Sequence, residues 1–153
     1  MRHWRRILAL LELSPVGQTL ATHARDLAHL HGAQLMLGTI VPHRPGWETS
    51  EAEWLTPQQA TAALEAIFLQ RLRHLAARIG AGEAQLFARA GAMSACVRDL
   101  IATCEPDLVL VSRAAPFGLH VAADNEAFDL LVVHAPPRKT VLGRLVRALA
   151  LAG

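Results

Sequence analysis

The residues best placed to do chemistry gather in the stretch Asp107-Leu-Val-Leu-Val-Ser-Arg-Ala-Ala-Pro-Phe-Gly118. A short apolar run that empties into a loop is where open α/β sheets put their ligands. A loop that wraps a phosphate at that place needs glycines, whose bare backbone amides reach the anion. Ser112, Arg113, Ala114 and Ala115 stand there instead. A Cβ obstructs both positive φ and close approach, so this loop is a poor phosphate cradle. Arg113, with Gly118 in a shifted turn, leaves a rebuilt anion site open.

Other candidates are weaker. Ser14 and Ser112 follow apolar runs, as nucleophiles often do, but neither lies in a Gly-x-Ser-x-Gly elbow. Ser14 reads as a helix cap, and Ser112 as the replacement of a glycine. His29 and His31 point to different sides of one helix, while His23, His74 and His134 have no partner at metal-ligand spacing. No metal centre is expected. Cys96 and Cys104 lie about 12 Å apart along one helix, too far to bridge, and read as buried thiols of a reducing compartment.

Composition narrows the class. The chain has 153 residues, 52% hydrophobic and 18% charged, which fits one domain with a substantial core. A formal net charge of +2 gives no reason to expect a nucleic-acid partner. The arginines at Arg2, Arg5 and Arg6 and at Arg138, Arg144 and Arg147 read as solvated chain ends. The start Met1-Arg-His-Trp-Arg-Arg-Ile-Leu-Ala-Leu-Leu11 imitates a signal peptide, but Glu12 cuts the apolar run short and no cleavage site follows. No run has the length of a membrane span, and the few arginines of 139–147 beside one apolar stripe do not make a stable membrane anchor. A cytoplasmic location is expected.

These residues need a scaffold, and its punctuation is clear. Ile7 to Leu13 reads as a buried strand. Ser14-Pro15 starts a helix whose apolar positions Leu20, Ala24, Leu27, Ala28 and His31 run to a stop at Gly32. Leu35 to Val41 is a second strand. After a loop over 42–55 that carries Trp47 and Trp54, Thr56-Pro57-Gln58-Gln59 forms a capping box. The loop tryptophans read as packing on their own domain. The helix behind the box bears one apolar face: Ala60, Leu64, Ile67, Phe68, Leu72, Leu75, Ala76 and Ile79. Glu83 to Arg89 is a third strand, Met93 to Cys104 a third helix, and Leu108–Val111 and Leu130–Val133 the last two strands. Residues 140–152 have helical period. The alternation predicts a single α/β domain, an open, mostly parallel five-stranded sheet with helices on both faces.

The order and wording of these segments resemble the universal stress protein family. Ile7-Leu-Ala-Leu-Leu-Glu-Leu-Ser14 is similar to its first strand, which ends in an acidic residue and a small polar helix opener. Ala24-Arg-Asp-Leu-Ala-His-Leu-His-Gly-Ala-Gln-Leu35 resembles its "ALxLAxxxGAxL" passage. Ala90-Gly91, the third helix and Pro106-Asp-Leu-Val-Leu-Val111 resemble "xGxxxxxIxxxAxxxxxDLIVxG". The match spans residues 5–134; each phrase is common in α/β proteins, and their order carries the resemblance.

The resemblance implies an adenine-nucleotide-type fold and a homodimer paired along the fifth strand, whose segment Asp129-Leu-Leu-Val-Val-His134 is apolar enough to do so. It also implies where ATP-binding members keep their glycines: here at Ser112, Ala115 and Asn125, none of them glycine. Asp124 and Glu126 add negative charge where a polyanion would sit. Glu12 takes the place of the family's base-side aspartate, and Val41 resembles its second-strand base contact. Two further departures are a crossover shortened to 116–127 and an extra amphipathic segment over 140–152, which is long enough to cover the vacated face. The expectation is a divergent, non-enzymatic regulatory or protective protein that works through protein partners, with no cofactor because ATP binding is lost. The alternative is an adenine-nucleotide-binding protein with ATP as its ligand, or a slow ATPase, with a loop rebuilt around Ser112, Arg113 and Gly118.

Overall fold

In a computed structural model, residues 3–42, 56–113, 121 and 127–134 are described. The elements follow as β1 (Arg6–Leu11), α1 (Pro15–His31), β2 (Gln34–Pro42), α2 (Pro57–Arg78), β3 (Gln85–Gly91), α3 (Met93–Cys104), β4 (Leu108–Ser112) and β5 (Asp129–Val133). The five strands form one sheet in the order β3-β2-β1-β4-β5, and every pairing is parallel.

The helix punctuation works as its chemistry requires. Ser14 caps α1 by accepting the Gly17 N–H on its hydroxyl at 3.2 Å, with proline in the first turn and Gly32 closing the helix at φ 60°. Thr56 and Gln59 make the reciprocal capping box on α2, at 3.2 and 2.9 Å. The third helix ends without glycine, so Glu105 takes the left-handed conformation at φ 45°. Its amide then donates to Ile101 O at 2.9 Å.

Strand period two divides the core. Ile7, Ala9 and Leu11 face α1 and α2, joining Leu20, Ala24, Leu72, Leu75 and Ile79. Leu8 and Leu10 face the other way, joining Val97, Leu100 and Cys104 of α3. The sheet therefore carries helices on both faces. Val121 and Phe128, on either side of the crossover's end, pack on the α3 face. Gly38 lets α3 approach there, since a Cβ would meet the side chains of Leu10 and Leu100 at 3.3 Å.

Three details correct the sequence reading. The first strand stops at Leu11, so Glu12 and Leu13 belong to the turn into α1. The third strand is shifted two residues onward, to Gln85–Gly91. The apolar face of α2 is narrower than its periodicity implied: Ile67 is 50% exposed, and the buried residues of the helix, Leu72, Leu75 and Ala76, all lie in its second half. Arg6 is also no solvated end, since its Nε donates to Cys104 O at 2.8 Å. The extra segment 140–152, the tryptophan loop and most of the crossover lie outside the described residues.

Candidate functional site

The chain passes from β1 outward to β2 and β3, then returns to the other side of β1 as β4. The switch point of the sheet therefore lies between β1 and β4, the place where open α/β sheets bind ligands. Glu12 leaves β1 on one side of this crevice and Ser112 ends β4 on the other. The register pairs Leu10 with Val111 and Leu11 with Thr39, which brings the ends of β2, β1 and β4 level. Strand spacing then puts Val41, Glu12 and Ser112 within a span of about 10 Å.

Each of these positions has a local cause. The turn after β1 is tight: Ser14 N–H donates to Glu12 O at 2.9 Å, and the Glu12 carbonyl presses on the first turn of α1. Only a glycine fits there, because a Cβ on Gly17 would overlap the Glu12 oxygen and lie 2.8 Å from its carbon. Thr39 is buried in β2 and donates its hydroxyl to Leu11 O at 2.9 Å, tying β2 to the end of β1. Ser112 is 5% exposed, so its Cβ and hydroxyl fill interior space at the end of β4. Arg113 is exposed, and its backbone N–H continues the ladder to Val133 O at 3.1 Å.

Of the residues singled out from sequence, the structure gathers Glu12, Val41, Ser112 and Arg113 at one end of the sheet. Ala115, Gly118 and Asn125, with the acids Asp124 and Glu126, lie outside the described residues. Ser112 puts a buried side chain where the resemblance places the first phosphate-loop glycine. Two contributors were missed. Thr39 is one polar residue in an apolar strand, and Gly17 is a glycine in the first helical turn, where propensity disfavours it.

The histidines and cysteines build no second site. Among the described residues no three His, Cys, Asp or Glu side chains come together as metal ligands. Burial pushes the Cys104 thiol up to about 11, and burial with the nearby Glu65 and Asp99 carboxylates raises that of Cys96. Both thiols are buried and free.

The opposite end of the sheet holds a structural clasp. The Asp107 carboxylate accepts the backbone N–H groups of Arg5 and Arg6 at 2.8 and 2.9 Å, and Asp107 N–H returns a bond to Arg6 O at 3.0 Å. Trp4 Nε1 donates to Asp129 Oδ2 at 3.0 Å. The aspartate that opens the fourth-strand phrase therefore joins β4 to β1 and stands away from the ligand end.

Comparison with known proteins agrees with this architecture. No curated protein matches the chain at significance. Among solved structures, a universal stress protein in complex with cAMP superposes with a TM-score of 0.59 at 18% identity, over 87% of this chain and 98% of that one. Universal stress protein UspA from Lactobacillus plantarum gives 0.54 at 16% identity, over 88% and 100%. The universal stress protein from Archaeoglobus fulgidus in complex with dAMP gives 0.54 at 12% identity, over 86% and 98%. At these identities the likeness shows the fold. The sequence profile described as "Universal stress protein family" matches residues 3–149, and so the chain belongs to the universal stress protein family.

Proposed function

We propose that this protein is a non-enzymatic member of its family, regulatory or protective, which acts through protein contacts and has lost ATP binding. The observation that carries the reading is the buried side chain of Ser112 at the end of β4, where the first phosphate-loop glycine would stand. The thiols add to it, since burial keeps both protonated at neutral pH and leaves neither as a nucleophile.

The two sheet edges support a homodimer through β5. On β3 the Ala90 N–H is taken by the Glu65 carboxylate at 3.1 Å, and Arg89 pairs with Asp99 at 2.7 Å. Those features blunt an edge. On β5, by contrast, Leu131 and Val132 are 39% and 51% exposed. Among the described residues no helix is long and apolar enough to cross a membrane.

A second reading has one observation in its favour: relatives of the same fold are complexes with cAMP and dAMP. It is an adenine-nucleotide binder with a loop rebuilt around Ser112, Arg113 and Gly118. Denaturing freshly purified protein and identifying the released small molecules by mass spectrometry separates the two. The proposal expects no adenine nucleotide. Stoichiometric nucleotide would overturn it and establish the second reading.

A further inference from the structure

Beside the turn that leaves β1, α1 and α2 leave a groove of ≈ 280 Å³ between them, lined by Leu13, Ser14, Gln18, Arg71, His74 and Arg78 among others. Its chemistry is one-sided. Arg71, His74 and Arg78 stand on one face of α2, a row about 10 Å long over two turns. Among the described residues no carboxylate lines the groove, although Glu12 directly precedes the lining residue Leu13. The nearest acidic residue earlier in α2, Glu65, is engaged by the Ala90 N–H, and Asp26 of α1 is paired with Arg25 at 2.8 Å.

The cations are correspondingly uncommitted. Arg71 rests over the Phe68 ring at 5.1 Å, a contact that leaves its N–H edges open. His74 meets only the side-chain amide of Gln70, at 3.4 Å. Arg78 makes no side-chain hydrogen bond or ion pair among the described residues. From α1, the Gln18 side chain brings an amide donor to the same wall. The recognition rests on these side chains, since in the first turn of α1 Pro15 has no N–H and that of Gly17 is held by Ser14 Oγ, which leaves only the Val16 N–H beside them.

We propose that this groove binds a small phosphorylated anion. Guanidinium forks match phosphate oxygens in pairs, and a cationic row of this length suits two anionic groups better than one. The volume admits a diphosphate or a small phosphorylated metabolite. The groove adjoins the strand-end crevice at Leu13 and Ser14, but its cations come from α2, and Val41, Ser112 and Arg113 do not line it.

The test is a titration of the full chain with pyrophosphate, and in parallel with inorganic phosphate, at fixed ionic strength and followed by amide NMR. Saturable shifts are expected around residues 13–18 and 70–79, tighter for pyrophosphate. Arg71→Gln with Arg78→Gln weakens binding by about tenfold or more, with the far-ultraviolet circular dichroism unchanged. Arg73→Gln, an equal charge loss on the same helix outside the groove, leaves affinity within about twofold. The proposal is overturned by shifts that never saturate, by a map centred on Ser112 and Arg113, or by an equal loss in the Arg73→Gln protein.

Discussion

Replacing Asp107 with alanine removes both acceptors that hold the start of β1 against β4. The lost bonds measure 2.9 Å to the half-buried Arg6 N–H and 2.8 Å to the exposed Arg5 N–H. A bond to a charged acceptor contributes about 1.5–3 kcal/mol where its donor cannot rehydrate, which applies to Arg6. Water replaces the acceptor at Arg5, so that bond adds about 0.5–1 kcal/mol. The sum is about 2–4 kcal/mol, a large share of a domain stability of about 5–15 kcal/mol. At about 2–4 °C per kcal/mol for a chain of this size, Tm falls by roughly 5–15 °C. Asp107→Asn keeps one acceptor and turns its NH2 toward the other donor, so its loss lies between wild type and alanine. Urea unfolding checks this, provided the m-value stays constant. A loss below about 0.5 kcal/mol for Asp107→Ala would refute the clasp and leave β1 held by its strand ladders and apolar contacts.

Other perturbations follow from the same geometry. Gly17→Ala forces the Glu12 carbonyl off the first turn of α1, and because the obstacle is backbone the cost is about 3 kcal/mol or more, read as a fall in Tm; an unchanged Tm would mean that the turn is placed differently. The Cys104 thiol, raised from an ordinary 9.0 to about 11, contributes stability that is complete below pH 9 and lost as pH rises through 11. Cys104→Ser removes that alkaline decline, and in the native wild type a thiol reagent at pH 8 labels neither cysteine until denaturant is added. Val132→Lys with Leu131→Lys puts charge on the β5 edge, so under the proposed pairing sedimentation equilibrium reads a dimer for the wild type and a monomer for the double variant; a monomeric wild type would refute the pairing.

The scaffold was legible because its signals are local. Ser14-Pro15, Thr56 with Gln59, and Gly32 each fix a helix end through bonds within a few residues. The apolar strands announced burial on both faces, and β1 carries it out with alternate residues in two cores. What failed depended on distant partners. Periodicity made Ile67 core-facing, but only the second half of α2, at Leu72, Leu75 and Ala76, is buried. Arg6 looked like a solvated cluster until Cys104 O, far along the chain, took its Nε. The site was legible in part: strand-end logic pointed to the loop at Ser112, and the family resemblance added Glu12 and Val41. Thr39 and Gly17 escaped because their roles exist only once β1 and β2 are in register and the turn has closed.

The account turns on Ser112 having replaced bare backbone at the end of β4. Isothermal titration of the purified, nucleotide-free protein with ATP and Mg²⁺ tests it most directly. The account predicts heats of dilution only, at every concentration reached. Saturable binding with one nucleotide per chain, abolished by Arg113→Ala, would contradict it.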